Sequence, residues 1–190
     1  MTLRVVSLLL FSVISASLQG CFPVAAVGVG AGVMMAQDRR SKGAFIEDQQ
    51  IETKAFELID KQFKSVMHVN VTSYNHNVLI SGEVLDESTK TEIGKIISDI
   101  TNVRDVNNDL AISNISSLAS RSNDGLITSN VKLRFVNDKR FNADHIKVVT
   151  ENGTVYLMGL VNHAEADAAT DVTSTTRGVQ RVVRMFEYLD

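Results

Sequence analysis

Residues 146–161 read IKVVTENGTVYLMGLV and contain the pattern that decides the fold. Apolar and polar residues alternate on both sides of Asn152-Gly153, a dipeptide that favours a type I′ turn between two antiparallel strands. The segment 69–84, VNVTSYNHNVLISGEV, has the same pattern 77 positions earlier, with Asn75-His76 at the turn. The chain is therefore predicted to contain the same β-hairpin twice.

A helical pattern precedes each hairpin. Apolar residues recur at helical spacing from Ile51 to Ile59 before the first hairpin and from Ile127 to Phe135 before the second. Ser122-Asn123-Asp124 offers an N-cap for the second of these helices. Each copy is therefore predicted to begin with an amphipathic helix.

A second helix and a third strand are predicted after each hairpin. Helical spacing covers 86–99 and 164–175, and strands are expected at about 107–112 and 183–188. The strand after the helix should lie parallel to the strand before it, through a right-handed connection. The order is αββαβ twice. The predicted fold class is therefore α+β, with a three-stranded mixed sheet packed on two helices in each domain.

The motifs of the second copy resemble the BON domain. They are the Gly-x-Val that closes the hairpin and Gly178-Val179-x-x-Val182 after the second helix. In the first copy, Asn102 stands where the family often has glycine. The resemblance implies two tandem BON domains, at 44–112 and 122–190, joined by a linker at 113–121.

The N-terminal segment has the pattern of an export signal. Residues 5–18 are apolar or small and form a stretch too short to span a bilayer comfortably, so residues 1–20 are interpreted as a signal peptide. Leu18-Gln19-Gly20-Cys21 resembles the lipobox of bacterial lipoproteins, which implies cleavage before Cys21 and acylation of that residue. The alternative is a secreted protein with an unmodified cysteine.

The residues after the cysteine bear on location. Phe22 stands where lipoproteins retained in the inner membrane typically have Asp, so the resemblance implies the periplasmic face of the outer membrane. Residues 21–43 are interpreted as the lipidated cysteine and a flexible, membrane-proximal tether.

Composition and residue spacing argue against several function classes. The net charge is −3, so there is no basic excess for nucleic acid, and one cysteine excludes an intrachain disulfide. His68 and His145 occupy matching positions before the hairpins, which indicates a structural role. No histidine pair has the i, i+4 spacing of a helical metal site, and no nucleophile motif is present. We therefore expect no metal, no cofactor and no catalytic residues.

The two copies differ on one face of their first helix. When the helices are aligned, Leu126 and Leu133 take the places of Gln50 and Glu57. The two leucines lie seven residues apart and share a helix face, whereas Val131 lies about 140–160° away. The apolar core stripe and these leucines therefore cannot both face the sheet.

The charge of the two helices differs as well. Residues 46–63 carry five acids and two lysines, whereas residues 122–139 carry three bases and two acids. An apolar stripe flanked by cationic side chains is typical of a helix that rests on anionic headgroups. The predicted phospholipid-binding residues are Leu126, Asn130, Lys132, Leu133 and Arg134.

Two other interpretations of the leucines stay open at this point. They could pack against the first domain or a partner protein, or the helix register could be misassigned. The resemblance favours lipid, because BON domains are linked with phospholipid binding, through the second domain in the two-domain lipoproteins of the Gram-negative outer membrane. The predicted function is a non-enzymatic lipoprotein that maintains envelope integrity by binding an anionic phospholipid membrane. The alternative is a periplasmic adaptor for the outer-membrane protein assembly machinery.

Overall fold

The computed structural model describes residues 38–63 and 67–190. The predicted signal peptide, Cys21 and the tether up to residue 37 lie outside the described residues, so lipid attachment stays a prediction. Within the two described ranges, no helix combines the length and the apolarity that crossing a bilayer requires.

The elements follow the order αββαβ twice, as predicted. The first copy consists of α1 (Lys42–Phe63), β1 (His68–Tyr74), β2 (Asn77–Val84), α2 (Glu87–Ser98), β3 (Asp105–Asn108) and the two-residue β4 (Ala111–Ile112). The second consists of α3 (Leu118–Asn137), a 3-10 turn (Ala143–His145), β5 (Ile146–Glu151), β6 (Thr154–Val161), α4 (His163–Ser174) and β7 (Arg181–Tyr188).

Each copy has a mixed sheet, which confirms the predicted fold class. The hairpin strands pair antiparallel, and the strand after the crossover helix lies parallel to the second hairpin strand in both copies. In the first copy the last strand is interrupted after Asn108, and β4 resumes the pairing with β2. The sequence predicted one continuous strand there, so this part of the prediction is wrong.

One face of each sheet packs on the two helices of its own copy. Ile51 and Ala55 of α1 are buried against Val78 and Ile80 of β2. In the second copy the core contains Ile127, Val131, Phe135, Val148, Val155, Leu157, Val161, Ala166, Ala169 and Val172. The helix register inferred from periodicity is therefore confirmed in both copies.

The other face of each sheet packs against the sheet of the other copy. Tyr74 and Leu79 of the first sheet form one buried cluster with Tyr156, Met158 and Leu160 of the second. Both copies lie within one compact unit. The middle strands β2 and β6 are consequently buried on both faces, which is why their sequences are nearly continuous apolar runs.

Both hairpin turns have the left-handed backbone that a type I′ turn requires. The φ angles are 50° at Asn75, 67° at His76, 46° at Asn152 and 71° at Gly153. The turn predicted at Asn152-Gly153 and its equivalent at Asn75-His76 are therefore confirmed.

The start of α3 differs from the sequence prediction. The helix begins at Leu118, and the hydroxyl of Ser117 caps it by accepting a hydrogen bond from the backbone of Ser120. Asp124 is instead buried, and its carboxylate accepts hydrogen bonds of 2.9 Å from the backbone N–H groups of Asn152 and Gly153. The N-cap predicted at 122–124 is wrong because Asp124 caps the hairpin turn and not its own helix.

Candidate membrane-binding surface

Helix α3 exposes a stripe of large apolar side chains. Leu118, Leu126, Leu133 and Val136, which we call the leucine stripe, are between 63% and 74% exposed. At about 100° per residue they span an arc of roughly 80°. The centre of this arc lies about 180° from the buried Ile127–Val131–Phe135 face. The helix therefore has two apolar faces, of which the sheet covers one.

Every exposed charge on α3 is positive. Arg121, Lys132 and Arg134 are exposed, whereas the acidic residue of the helix, Asp124, is 5% exposed and bonded to the hairpin turn. Asn130 and Lys132 are also exposed and lie on opposite sides of the leucine stripe, each about 80° from its centre. The solvent-facing surface of this helix is consequently apolar and cationic.

Arg134 has a structural position. Its guanidinium donates hydrogen bonds to the carbonyl of Val172 at 2.7 Å and to the hydroxyls of Thr176 at 2.6 Å and Thr175 at 2.9 Å. These groups form the C-terminal end of α4, where unpaired carbonyls and the helix dipole favour a cation. Arg134 therefore ties α3 to α4 and lies about 120° from the centre of the leucine stripe.

The equivalent face of α1 is polar at the four stripe positions. The positions of Leu118, Leu126, Leu133 and Val136 correspond, 76 residues earlier, to Lys42, Gln50, Glu57 and Asp60. Helix α1 exposes Ile46 at the centre of this face and Phe56 about 80° to one side of it. Phe56 borders a cavity of about 390 Å³ between α1 and β1. The sequence prediction missed these two exposed residues because it compared the helices only at the leucine positions.

The leucine stripe lies outside the interface between the two copies. That interface has the buried cluster around Tyr156 at its centre and polar contacts around it, including Lys147 Nζ to Glu52 at 2.8 Å and the Tyr156 hydroxyl to Asp109 at 2.6 Å. Leu126 and Leu133 remain exposed after the copies have packed together. The interpretation that they dock against the first domain is therefore wrong.

The segment before α1 contacts both copies. Arg39 donates two hydrogen bonds to the carboxylate of Glu165, at 2.6 and 2.8 Å, and one to the carbonyl of Leu160 at 2.9 Å. The bonds from Arg39 hold the pKa of Glu165 below its usual range. Burial, together with the nearby Arg39 charge, lowers the pKa of His145. Residues 38–40 thus belong to the folded part of the chain, although the sequence placed them in the flexible tether.

Comparison with known proteins follows the same division into two copies. The family model of the BON domain matches residues 47–114 and 123–190. The chain is 35% identical over 175 residues to the outer membrane lipoprotein DolP of Haemophilus influenzae, with 91% of each chain covered. It is 30% identical to the 21 kDa hemolysin of Actinobacillus pleuropneumoniae, over 80% of this chain and 79% of the relative. It is 26% identical to the osmotically-inducible protein Y of Escherichia coli, over 80% of this chain and 78% of the relative. The chain belongs to the BON-domain family and carries two copies of the domain in tandem.

Proposed function

We propose that this protein is a non-enzymatic lipoprotein of the outer membrane that binds anionic phospholipid through helix α3 and thereby supports envelope integrity. The similarity to a relative named outer membrane lipoprotein supports the location, and the lipobox at Cys21 supports an anchor on the periplasmic face. The observation that carries lipid binding is the leucine stripe, an exposed apolar surface on the helix face opposite the core.

The apolar part of the surface supplies a driving force for membrane contact. Full burial of a leucine side chain contributes about 1.5–3 kcal/mol, and a helix that lies in the headgroup region buries its apolar face partly. Helix α3 has 20 residues and is therefore about 30 Å long, which lets Leu118 and Val136 contact the same bilayer surface.

The polar part of the surface supplies selectivity for anionic lipid. A lysine or arginine near an anionic membrane surface contributes about 1 kcal/mol. Lys132 lies beside the leucine stripe and Arg121 lies on the same side of the helix, about 20° away. Helix α3 has no exposed acidic side chain to repel the headgroups.

The first domain provides a natural control for this proposal. Its helix α1 has the same packing on its sheet but carries Gln50 and Glu57 at the two leucine positions. Residues 46–63 have more acids than bases, so anionic headgroups should repel this face. Binding to anionic phospholipid is therefore expected through the second domain and not through the first.

The test compares matched double variants for binding to phospholipid vesicles. The fragment should begin at Met35, so that it includes Arg39, which bonds to the second copy, and Arg40, which bonds to the first. Leu126→Glu with Leu133→Glu should weaken binding to anionic vesicles at least about tenfold while the fold stays intact, since both side chains are exposed. Gln50→Leu with Glu57→Leu should not create comparable binding.

The adaptor alternative makes the opposite prediction. If the leucine variant binds anionic vesicles as the unchanged fragment does, but loses a partner protein from the assembly machinery, the lipid proposal is wrong. Equal binding of the unchanged fragment to zwitterionic and anionic vesicles would also contradict the role given to Lys132.

A further inference from the structure

Three side chains with metal-binding groups converge at one end of the interface between the two copies. They are His68 and Glu83 of the first copy and Glu151 of the second, and one nitrogen or oxygen atom of each lies within 4.8 Å of the other two. His68 and Glu83 are directly opposite each other on β1 and β2. Glu151 is the last residue of β5. The three residues come from three strands, so no spacing rule along the sequence could have grouped them.

The carboxylate of Glu83 is buried and incompletely bonded. Glu83 is 3% exposed, and its Oε2 atom accepts hydrogen bonds from the backbone N–H of Ser116 at 3.3 Å and from its hydroxyl at 3.1 Å. Among residues 38–63 and 67–190, no donor bonds to Oε1 of Glu83. Oε1 is therefore the oxygen of Glu83 that is available to bind a cation.

The carboxylate of Glu151 is held in place by neighbouring polar groups. Glu151 is 8% exposed, and its Oε2 atom accepts a hydrogen bond of 2.9 Å from Asn70 and a longer one of 3.5 Å from the Ser81 hydroxyl. Its Oε1 atom lies 3.4 Å from Nε2 of His68. These contacts aim the second carboxylate toward the histidine in the way that outer-shell hydrogen bonds orient metal ligands.

The cluster carries little compensating positive charge. Two carboxylates that are more than nine-tenths buried lie together, and no lysine or arginine among residues 38–63 and 67–190 forms an ion pair with either of them. The exposed Arg121 contacts Nδ1 of His68 at 3.3 Å. Burying two like charges is unfavourable unless a cation or a proton compensates them.

We propose that His68, Glu83 and Glu151 bind one Zn²⁺ ion that links the two domains. One imidazole nitrogen and two carboxylate oxygens form a three-ligand zinc set, with the fourth tetrahedral position left for water. The histidine favours Zn²⁺ over Ca²⁺ and Mg²⁺, which prefer oxygen ligands throughout. Because the ligands come from both copies, the bound ion would hold the two sheets together at this end of their interface.

The second copy supplies a matched control. The repeat offset pairs His68 with His145 and Glu83 with Leu160, so the second copy keeps the histidine and lacks the carboxylate. His145→Ala therefore removes an equivalent histidine without touching the proposed site.

The test measures the affinity of the full chain for Zn²⁺ in detergent, with Cys21→Ser to remove the single thiol and with a chromophoric chelator as competitor. One equivalent of Zn²⁺ should bind. His68→Ala and Glu151→Gln should each weaken binding at least about tenfold, and His145→Ala should leave it unchanged. Zn²⁺ should also raise the melting temperature of the unchanged protein more than that of Glu151→Gln, because a ligand that binds the folded state stabilises it.

An NMR measurement tests the site in a protein that keeps His68, Glu83 and Glu151, so its result does not depend on whether a variant folds. Zn²⁺ should shift the ring signals of His68 and leave those of His145 in place, whereas Mg²⁺ should shift neither. The proposal is wrong if less than one equivalent binds, if His145→Ala weakens binding as much as His68→Ala does, or if the His68 ring signals do not respond. It is independent of lipid binding, since Leu126→Glu with Leu133→Glu should bind Zn²⁺ normally.

Discussion

Arg40 donates a hydrogen bond of 2.7 Å to the fully buried carboxylate of Asp48, eight residues along the chain. The same carboxylate accepts hydrogen bonds from the backbone N–H groups of Asn75 at 2.7 Å and His76 at 2.8 Å. Arg40 therefore compensates the charge that holds the first hairpin turn in its left-handed conformation. Arg40, two residues before the start of α1, is thus part of the first domain.

Removal of Arg40 should destabilise the protein strongly. Arg40→Ala leaves the buried Asp48 without its cation, and breaking a buried ion pair in this way costs about 3–5 kcal/mol in the free energy of unfolding. Denaturant unfolding of the fragment that begins at Met35 measures this loss.

The chain offers a control for that change. Arg140 bonds to Asp138 two residues before it, as Arg40 bonds to Asp38, but the Arg140 side chain is 52% exposed. Arg140→Ala should cost no more than about 1 kcal/mol. If Arg40→Ala and Arg140→Ala lower the free energy of unfolding equally, the burial of Asp48 does not strengthen its ion pair with Arg40.

Asp124 should be important for the second hairpin. Its two oxygens accept hydrogen bonds from the backbone of Asn152 and Gly153, so Asp124→Ala leaves these donors unpaired and should cost about 1–3 kcal/mol. Asp124→Asn keeps one acceptor oxygen and should cost less. If both variants unfold at the same denaturant concentration as the unchanged protein, the hydrogen bonds to the turn contribute no net stability.

Lys132 and Arg134 should have separable effects. Arg134→Ala removes three hydrogen bonds to the end of α4 and should lower the free energy of unfolding by about 1–3 kcal/mol, with little change in vesicle binding. Lys132→Glu should leave stability within about 0.5 kcal/mol and should weaken binding to anionic vesicles. The weakening should be larger at low salt, because screening acts over about 10 Å at 0.1 M. The reverse pattern would assign the headgroup contact to Arg134.

His145 should make stability depend on pH. Burial and the Arg39 charge lower its pKa below the ordinary value of 6.5, and within residues 38–63 and 67–190 its Nδ1 atom has no hydrogen-bond partner. As the pH falls through the unfolded-state pKa, the unfolded chain takes up a proton that the folded chain does not, so the free energy of unfolding decreases. His145→Gln should flatten the fall in melting temperature between pH 7.5 and 5.5. An unchanged slope in the variant would assign the pH dependence to other groups. Glu165 affects the free energy of unfolding only below this pH range, because the pKa of its carboxyl group lies below the ordinary value of 4.5.

Local patterns predicted most of each domain correctly. Turn chemistry located both hairpins, because Asn152-Gly153 adopts positive φ without steric cost. Asn102, which stands where the family often has glycine, also has a local explanation. Its φ is 71°, close to the 94° of the equivalent Gly178, and asparagine tolerates this conformation.

Contacts between distant segments could not be predicted in the same way. Alternating apolar and polar residues predict one buried face for each hairpin strand, whereas Leu79 and Met158 on the other face are also fully buried, against the opposite sheet. Asp124 has the sequence context of an N-cap, and its true partners lie about 28 residues away in the turn. Leu126 and Leu133 were predictable because the polar copy of the same helix was available for comparison. Leu118 was not, because the sequence pattern assigned residues 113–121 to a linker and the helix begins at Leu118.

The most direct test of lipid binding is a residue-by-residue NMR titration of residues 35–190 with anionic micelles. The largest shifts or line broadening should occur at Leu118, Leu126, Leu133 and Val136, with Gln50 and Glu57 unaffected. Zwitterionic micelles should produce clearly smaller changes. Unchanged signals along α3, or a stronger response in α1, would contradict the proposal that helix α3 of the second domain binds the membrane.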